Sequence, residues 1–83
     1  MPKVYLSEWD RACVRLSRWA YGEMRVRNIS QEKLADRRGI SRQALGRKLK
    51  ESSFDFKDFV FLVKEFEPDD KELRQIIGYE EGS

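Results

Sequence analysis

A glycine at position 39, set between two short stretches of helical periodicity, constrains this chain more than any other single feature. Upstream of it Ser30 is a good N-cap, Ile29 can staple onto Leu34, and Leu34 with Ala35 supplies an apolar inner face. A helix is therefore predicted from about Gln31 to Arg38. Gly39 falls where a residue of positive φ ends a helix at almost no steric cost. Ile40 plugs the corner, and Ser41 caps a second helix. Residues 30–50 thus fold one amphipathic helix back onto another.

On a wheel of about 100° per residue, Arg42, Gly46, Lys50, Gln43 and Arg47 share an arc of about 140°, with Leu45 and Leu49 on the other side. One face packs and the other reaches. Arg42, Gln43 and Arg47 carry forked donors and acceptors of the kind that fit guanine O6/N7 or adenine N6/N7 in a major groove, and Gly46 among them lets the helix backbone approach closely. A basic helical face is by default simply solvated. Here the glycine turn, both caps and the small Ala35 agree on one arrangement, which favours recognition over solvation.

These residues resemble the helix-turn-helix of the lambdoid phage repressors and Cro-type regulators, within the larger xenobiotic-response-element group. Gln31 opening the first helix, Leu34-Ala35, Gly39-Ile40 and Leu45 in the second helix all fall at that family's spacings. The likeness is strong over the motif and loose from about residue 13 to residue 66. It implies a lambda-repressor-like domain that inserts its third helix into the major groove of double-stranded DNA and lays its second across the backbone. Gln31 would then bond a phosphate and brace the residue at Arg42, while Arg42, Gln43 and Arg47 meet base edges. Lys33, Arg37, Ser41 and Lys50 join Gln31 as candidates for the DNA backbone, and Ser52 and Ser53 are weaker ones, read more simply as turn residues.

Two positions depart from that family, which usually has apolar residues where this chain has Arg38 and Lys48. The wheel points Lys48 at the core edge. The expectation is that Leu49 takes over the packing, and that both cations lie along apolar surface with their charges in water.

Around the motif the spacing is helical throughout. From residue 7 to about residue 27, Trp9, Ala12, Cys13, Leu16, Trp19, Ala20 and Met24 recur at three- and four-residue steps, with Ser7 as cap and Glu8 and Asp10 at the positive end of the dipole. Gly22 leaves two endings open, near Tyr21 or near Asn28. Trp19 reads as core and Trp9 as evenly divided between core and a partner surface. Cys13 reads as a small buried apolar residue. A fourth helix starts at the Asp55 cap, with Asp58 three residues on and Phe54 stapling to Phe59, and runs to about residue 67. It would bury Phe59, Leu62, Val63 and Phe66, and at least one of Phe56, Val60 and Phe61 is left over. Pro68 stops that helix, the Asp69/Glu72 pair caps a fifth, and Gly78 ends it. The acidic cluster Glu67, Asp69, Asp70 and Glu72 lacks calcium-loop spacing and is explained by capping. With no strand alternation or internal repeat, the predicted class is all-α: a compact five-helix bundle forming a single domain over residues 1–83.

Composition narrows the function classes. Eighty-three residues bury about 60–65% of the unfolded chain's surface, enough for a small core. The chain has no histidine and one cysteine, which removes the usual general base, the multi-cysteine metal site and any intrachain disulfide. With no Gly-rich phosphate loop either, neither an enzyme nor a cofactor is implied. No apolar run approaches the roughly 20 residues of a membrane span, and no secretory segment follows the first residues, so a cytoplasmic protein without membrane contact is expected. The net charge of +2 divides unevenly. Lys/Arg minus Asp/Glu is +3 over residues 1–29 (6 against 3), +5 over 30–50 (7 against 2) and −6 over 51–83 (4 against 10). A basic front and an acidic rear orient a molecule towards a polyanion.

The expectation from the sequence is a sequence-specific double-stranded DNA-binding transcriptional regulator, a repressor of the phage or mobile-element kind. Three base-reading side chains specify too few base pairs for one copy, so a homodimer on a two-half-site operator is expected. Its self-association surface would use Phe61, Leu73, Ile76, Ile77 and Tyr79, with residues 69–83 as the dimerisation element, although Leu73 and Ile77 serve equally well to close the core. The alternative is a helix-turn-helix protein-interaction regulator of the antitoxin or antirepressor type, in which DNA binding is weak or secondary and a protein partner takes the acidic rear.

Overall fold

Every helix begins at a short polar side chain that accepts from the amide three residues on. In the computed structural model, which describes residues 7–78, α1 spans Glu8–Arg27, α2 Gln31–Arg38, α3 Arg42–Glu51, α4 Phe56–Phe66 and α5 Asp70–Ile77. Among the described residues there is no strand. Ser7, Ser30, Ser41, Asp55 and Asp69 accept from Asp10 (3.0 Å), Lys33 (3.1 Å), Ala44 (3.0 Å), Asp58 (2.8 Å) and Glu72 (2.7 Å) respectively. At Ser7, Asp55 and Asp69 the acidic residue three positions on reaches back to the cap's own amide, so two otherwise orphaned donors are satisfied at once.

The helix ends settle the point left open at Gly22. α1 runs through that glycine and stops at Asn28, which adopts the left-handed conformation at φ 57° and donates its amide to the carbonyls of Met24 and Arg25. Gly39 and Gly78 take the same conformation at φ 82° and 80°, where a side chain would be strained. Ser52 and Glu67 also sit there, at φ 55° and 51°.

α1 packs on α4 and α5, and α2 packs on α3. One core joins Cys13, Leu16, Ala20 and Met24 of α1 to Leu34, Ala35, Leu45, Leu49, Phe54, Leu62, Phe66 and Ile76. Phe59 and Val63, expected in that core, are half-buried. Phe59 instead stacks at 5.4 Å on Trp9, which stays 39% exposed. Trp19 meets the Phe66 ring edge-on at 5.7 Å. Of the surplus aromatics of α4 the outward one is Phe56, 70% exposed. Cys13 is buried, with its thiol turned to the Phe54 carbonyl, and burial pushes its pKa up.

α1 also fastens the far ends of three other helices. Ser17 Oγ donates to the Leu49 carbonyl of α3 at 2.6 Å, Arg27 Nη2 to Phe66 of α4 at 2.8 Å, and Arg15 Nε to Ile76 of α5 at 2.7 Å. The last carbonyls of a helix have no partner within it, so these donors supply what each C-terminus lacks. No buried side-chain nitrogen or oxygen among the described residues is left unpaired.

Candidate nucleic-acid interface

The corner at residues 39–41 sets α2 against α3, and Leu45 and Leu49 anchor α3 from below. Arg42, Gln43, Arg47 and Lys50 consequently emerge together on its other side, all exposed. No hydrogen bond or ion pair among the described residues engages any of the four side chains. Had they been folded under neighbouring segments, the recognition reading would have ended there.

Gly46 lies on the same helix, half-buried, beneath the side chain of Gln31. A Cβ built at Gly46 would stand 3.2 Å from the side-chain Oε1 of Gln31. This glycine therefore makes room for an α2 side chain, a contact the helical wheel of α3 alone does not show. The expected brace from Gln31 to Arg42 is absent, the amide lying over the next turn instead. Ser41 Oγ is occupied as the α3 cap, and Ser52 with Ser53 terminates α3 through amides on the Lys48 carbonyl. Lys33 is exposed near the start of α2. Arg37, the remaining backbone candidate, is paired with Glu65 of α4.

Arg38 and Lys48 correct the sequence reading most. Neither holds its charge in water: Arg38 Nε donates to Asp58 Oδ1 at 2.9 Å and Lys48 Nζ to Oδ2 at 2.8 Å. Asp58 itself is 2% exposed. Its Oδ2 accepts as well from the Asp55 amide at 3.1 Å, so a carboxylate expected only as part of a helix cap joins α2, α3 and α4. Burial pushes the Asp58 carboxyl up, but the Lys48 ammonium, the Asp55 amide and the Arg38 guanidinium outweigh it and hold the pKa below the usual carboxylate range. The Arg38 guanidinium also lies 6.0 Å from the Phe61 ring centre. A local pattern search misses this cluster because Asp58 stands ten and twenty residues from its partners.

Of the seven cations in residues 30–50, three are thus matched to acids within the molecule, and Lys33, Arg42, Arg47 and Lys50 have no acidic partner among the described residues. Beside the motif, Arg37, Arg38, Phe56, Lys57, Val60 and Phe61 line an open groove of about 490 Å³.

The predicted self-association surface does not survive intact. Ile76 is 2% exposed and belongs to the core, because α5 turns it onto α1. Ile77 is exposed, Leu73 and Phe61 are half-buried, and Tyr79 lies outside the described residues. No helix among the described residues is long and apolar enough to cross a membrane. Comparison with protein-family models, curated proteins and solved structures returned no match for the chain. The functional reading therefore stands on geometry and chemistry alone.

Proposed function

We propose that the protein is a sequence-specific double-stranded DNA-binding regulator that works as a repressor of the lambdoid, Cro-like kind. In this reading residues 30–50 form a helix-turn-helix, α3 lies in the major groove, and α2 crosses the backbone. One observation carries it: Arg42, Gln43 and Arg47 stand exposed and unpartnered on a single face of α3, whose opposite face is fixed in the core. Each good bidentate pair with a base edge discriminates by about 1–3 kcal/mol. Lys33 and Lys50 supply phosphate contacts, joined by Gln31 once its amide turns outward. Three readers specify a short half-site, so two copies are expected on a paired operator, with Ile77 and the half-buried Leu73 as the apolar part of the contact.

Selection of bound duplexes from a random library tests base reading and half-site spacing together. On the selected sequence the two phosphate-contacting lysines, Lys33 and Lys50, predict a slope of log affinity against log salt of about −2 for each bound copy, from roughly 0.9 per phosphate contact. A flat line rules the mechanism out. Arg47→Ala relaxes preference at one base pair, whereas Lys50→Ala weakens all sequences alike; identical behaviour of the two refutes the division of roles.

The exposed Phe56 beside the groove favours a second reading, a regulator whose main partner is a protein. Retention of that partner at high salt, with no shift of any duplex, would establish it in place of the first.

A further inference from the structure

α1 carries five arginines, and the structure divides them. Arg15 lies on one flank and donates to the Ile76 carbonyl, and Arg27, on the core side of the last turn, donates to the Phe66 carbonyl and pairs with Glu23. Arg11, Arg18 and Arg25 are spaced at sevens, which puts them within about 40° of one another on the wheel, directly opposite Leu16 and Ala20. All three are exposed, and none of their side chains has a hydrogen bond or ion pair among the described residues. At about 1.5 Å per residue the line is about 21 Å long.

Gly22 sits on this line between Arg18 and Arg25. A glycine inside a helix costs about 1 kcal/mol relative to alanine and is normally retained for a turn or for packing. Neither reason holds here: the helix continues for five more residues, and a Cβ at position 22 would meet nothing within 4 Å. The bare backbone leaves open space for something arriving from outside. Tyr21, exposed and with no partner for its hydroxyl among the described residues, borders the gap.

We propose that this face of α1 is a second nucleic-acid contact, gripping the phosphate backbone with Arg11, Arg18 and Arg25 while the strand approaches closely over Gly22 beside Tyr21. The chemistry favours phosphates over a protein partner. Guanidinium forks match phosphate oxygens two at a time, whereas protein interfaces gather an apolar centre. The exposed apolar residues here, Tyr21 and Val26, lie on opposite sides of the arginine line and form no patch. The grip reads no bases and works whether or not α3 does.

The test measures binding of a random-sequence duplex from 50 to 200 mM salt for the parent, Arg18→Ala/Arg25→Ala, Arg42→Ala/Gln43→Ala/Arg47→Ala, and all five changes combined, each checked for helicity. The α1 pair should reduce the salt slope by about 1.8, two contacts at roughly 0.9 each. The α3 triple should keep a salt slope steeper by about 1.8 than that of the combined variant, which retains only Arg11, Lys33 and Lys50 for phosphates. Gly22→Gln should raise the melting temperature and still weaken binding, which no loss of fold explains. Poly-glutamate of matched charge should fail to compete. An α1 pair with the parent's slope in both backgrounds overturns the proposal and leaves the α3 reading standing. Loss of binding in the α1 pair with an unaffected α3 triple does the reverse. Equal competition by poly-glutamate assigns the face to acidic proteins and overturns the choice of nucleic acid.

Discussion

Replacing Asp58 by alanine tests the account of how the motif is held. Removing one member of a buried ion pair costs about 3–5 kcal/mol, chiefly because the charge left behind has lost its partner. Arg38 and Lys48 keep 25% and 27% of their side-chain surface and can turn partly to water, which places the cost near the lower end, at about 3 kcal/mol. The whole domain is worth roughly 4–12 kcal/mol at this size, so a melting point lower by about 12–24 °C should appear in thermal denaturation followed by circular dichroism. The decisive comparison repeats the change in an Arg38→Met/Lys48→Met background. There Asp58 retains only its capping role, worth about 1 kcal/mol, so urea titrations should give a coupling of about 2 kcal/mol. A coupling under about 0.5 kcal/mol would refute the reasoning, since the three charges would then be neighbours without being partners. The pH dependence has a definite sign. A carboxyl whose folded pKa lies below its unfolded one stabilises fully above the unfolded value, near pH 4, and loses that contribution as pH falls through the folded value. The gap between parent and Asp58→Asn should stay constant from pH 8 to about pH 5 and close below about pH 4.

Two further substitutions probe the frame. Ser17→Ala leaves the Leu49 carbonyl without its buried donor and should cost about 1–2 kcal/mol in urea titration; a change below about 0.3 kcal/mol would mean that the 2.6 Å bond does not matter. Gly39→Ala puts a side chain at φ 82° and should cost about 1–2 kcal/mol although a Cβ there has open space, so an unchanged midpoint would refute the conformational argument.

What the sequence made legible was local. Ser7, Ser30, Ser41, Asp55 and Asp69 each act on an amide three residues away, so all five helix starts could be read from short words. The outward set Arg42, Gln43, Arg47 and Lys50 followed from helical period alone, because Leu45 and Leu49 left it only one side to occupy. The misreadings all involve a second element. Asp58 was seen as a cap because its cap partner is three residues away and its ion partners are not. The contact of Gln31 over Gly46 is not legible in α3, because Gln31 belongs to another helix. The spacing offers Ile77 to the core and leaves Ile76 to a partner, yet 100° of rotation sends Ile76 inward and Ile77 out. Gly22 weakened the prediction of where α1 ends, since propensity cannot show that burying Met24 beyond it repays a loosened turn.

The three bonds from α1 to the tails of α3, α4 and α5 join residues 32, 39 and 61 positions apart. Because α1 precedes these partners along the chain, it finds them only once they too have been made. Until then Leu16 and Ala20 lack their native cover, and the nascent chain carries an open apolar stripe. The α2–α3 pair, whose packing joins neighbours in sequence, needs no such wait.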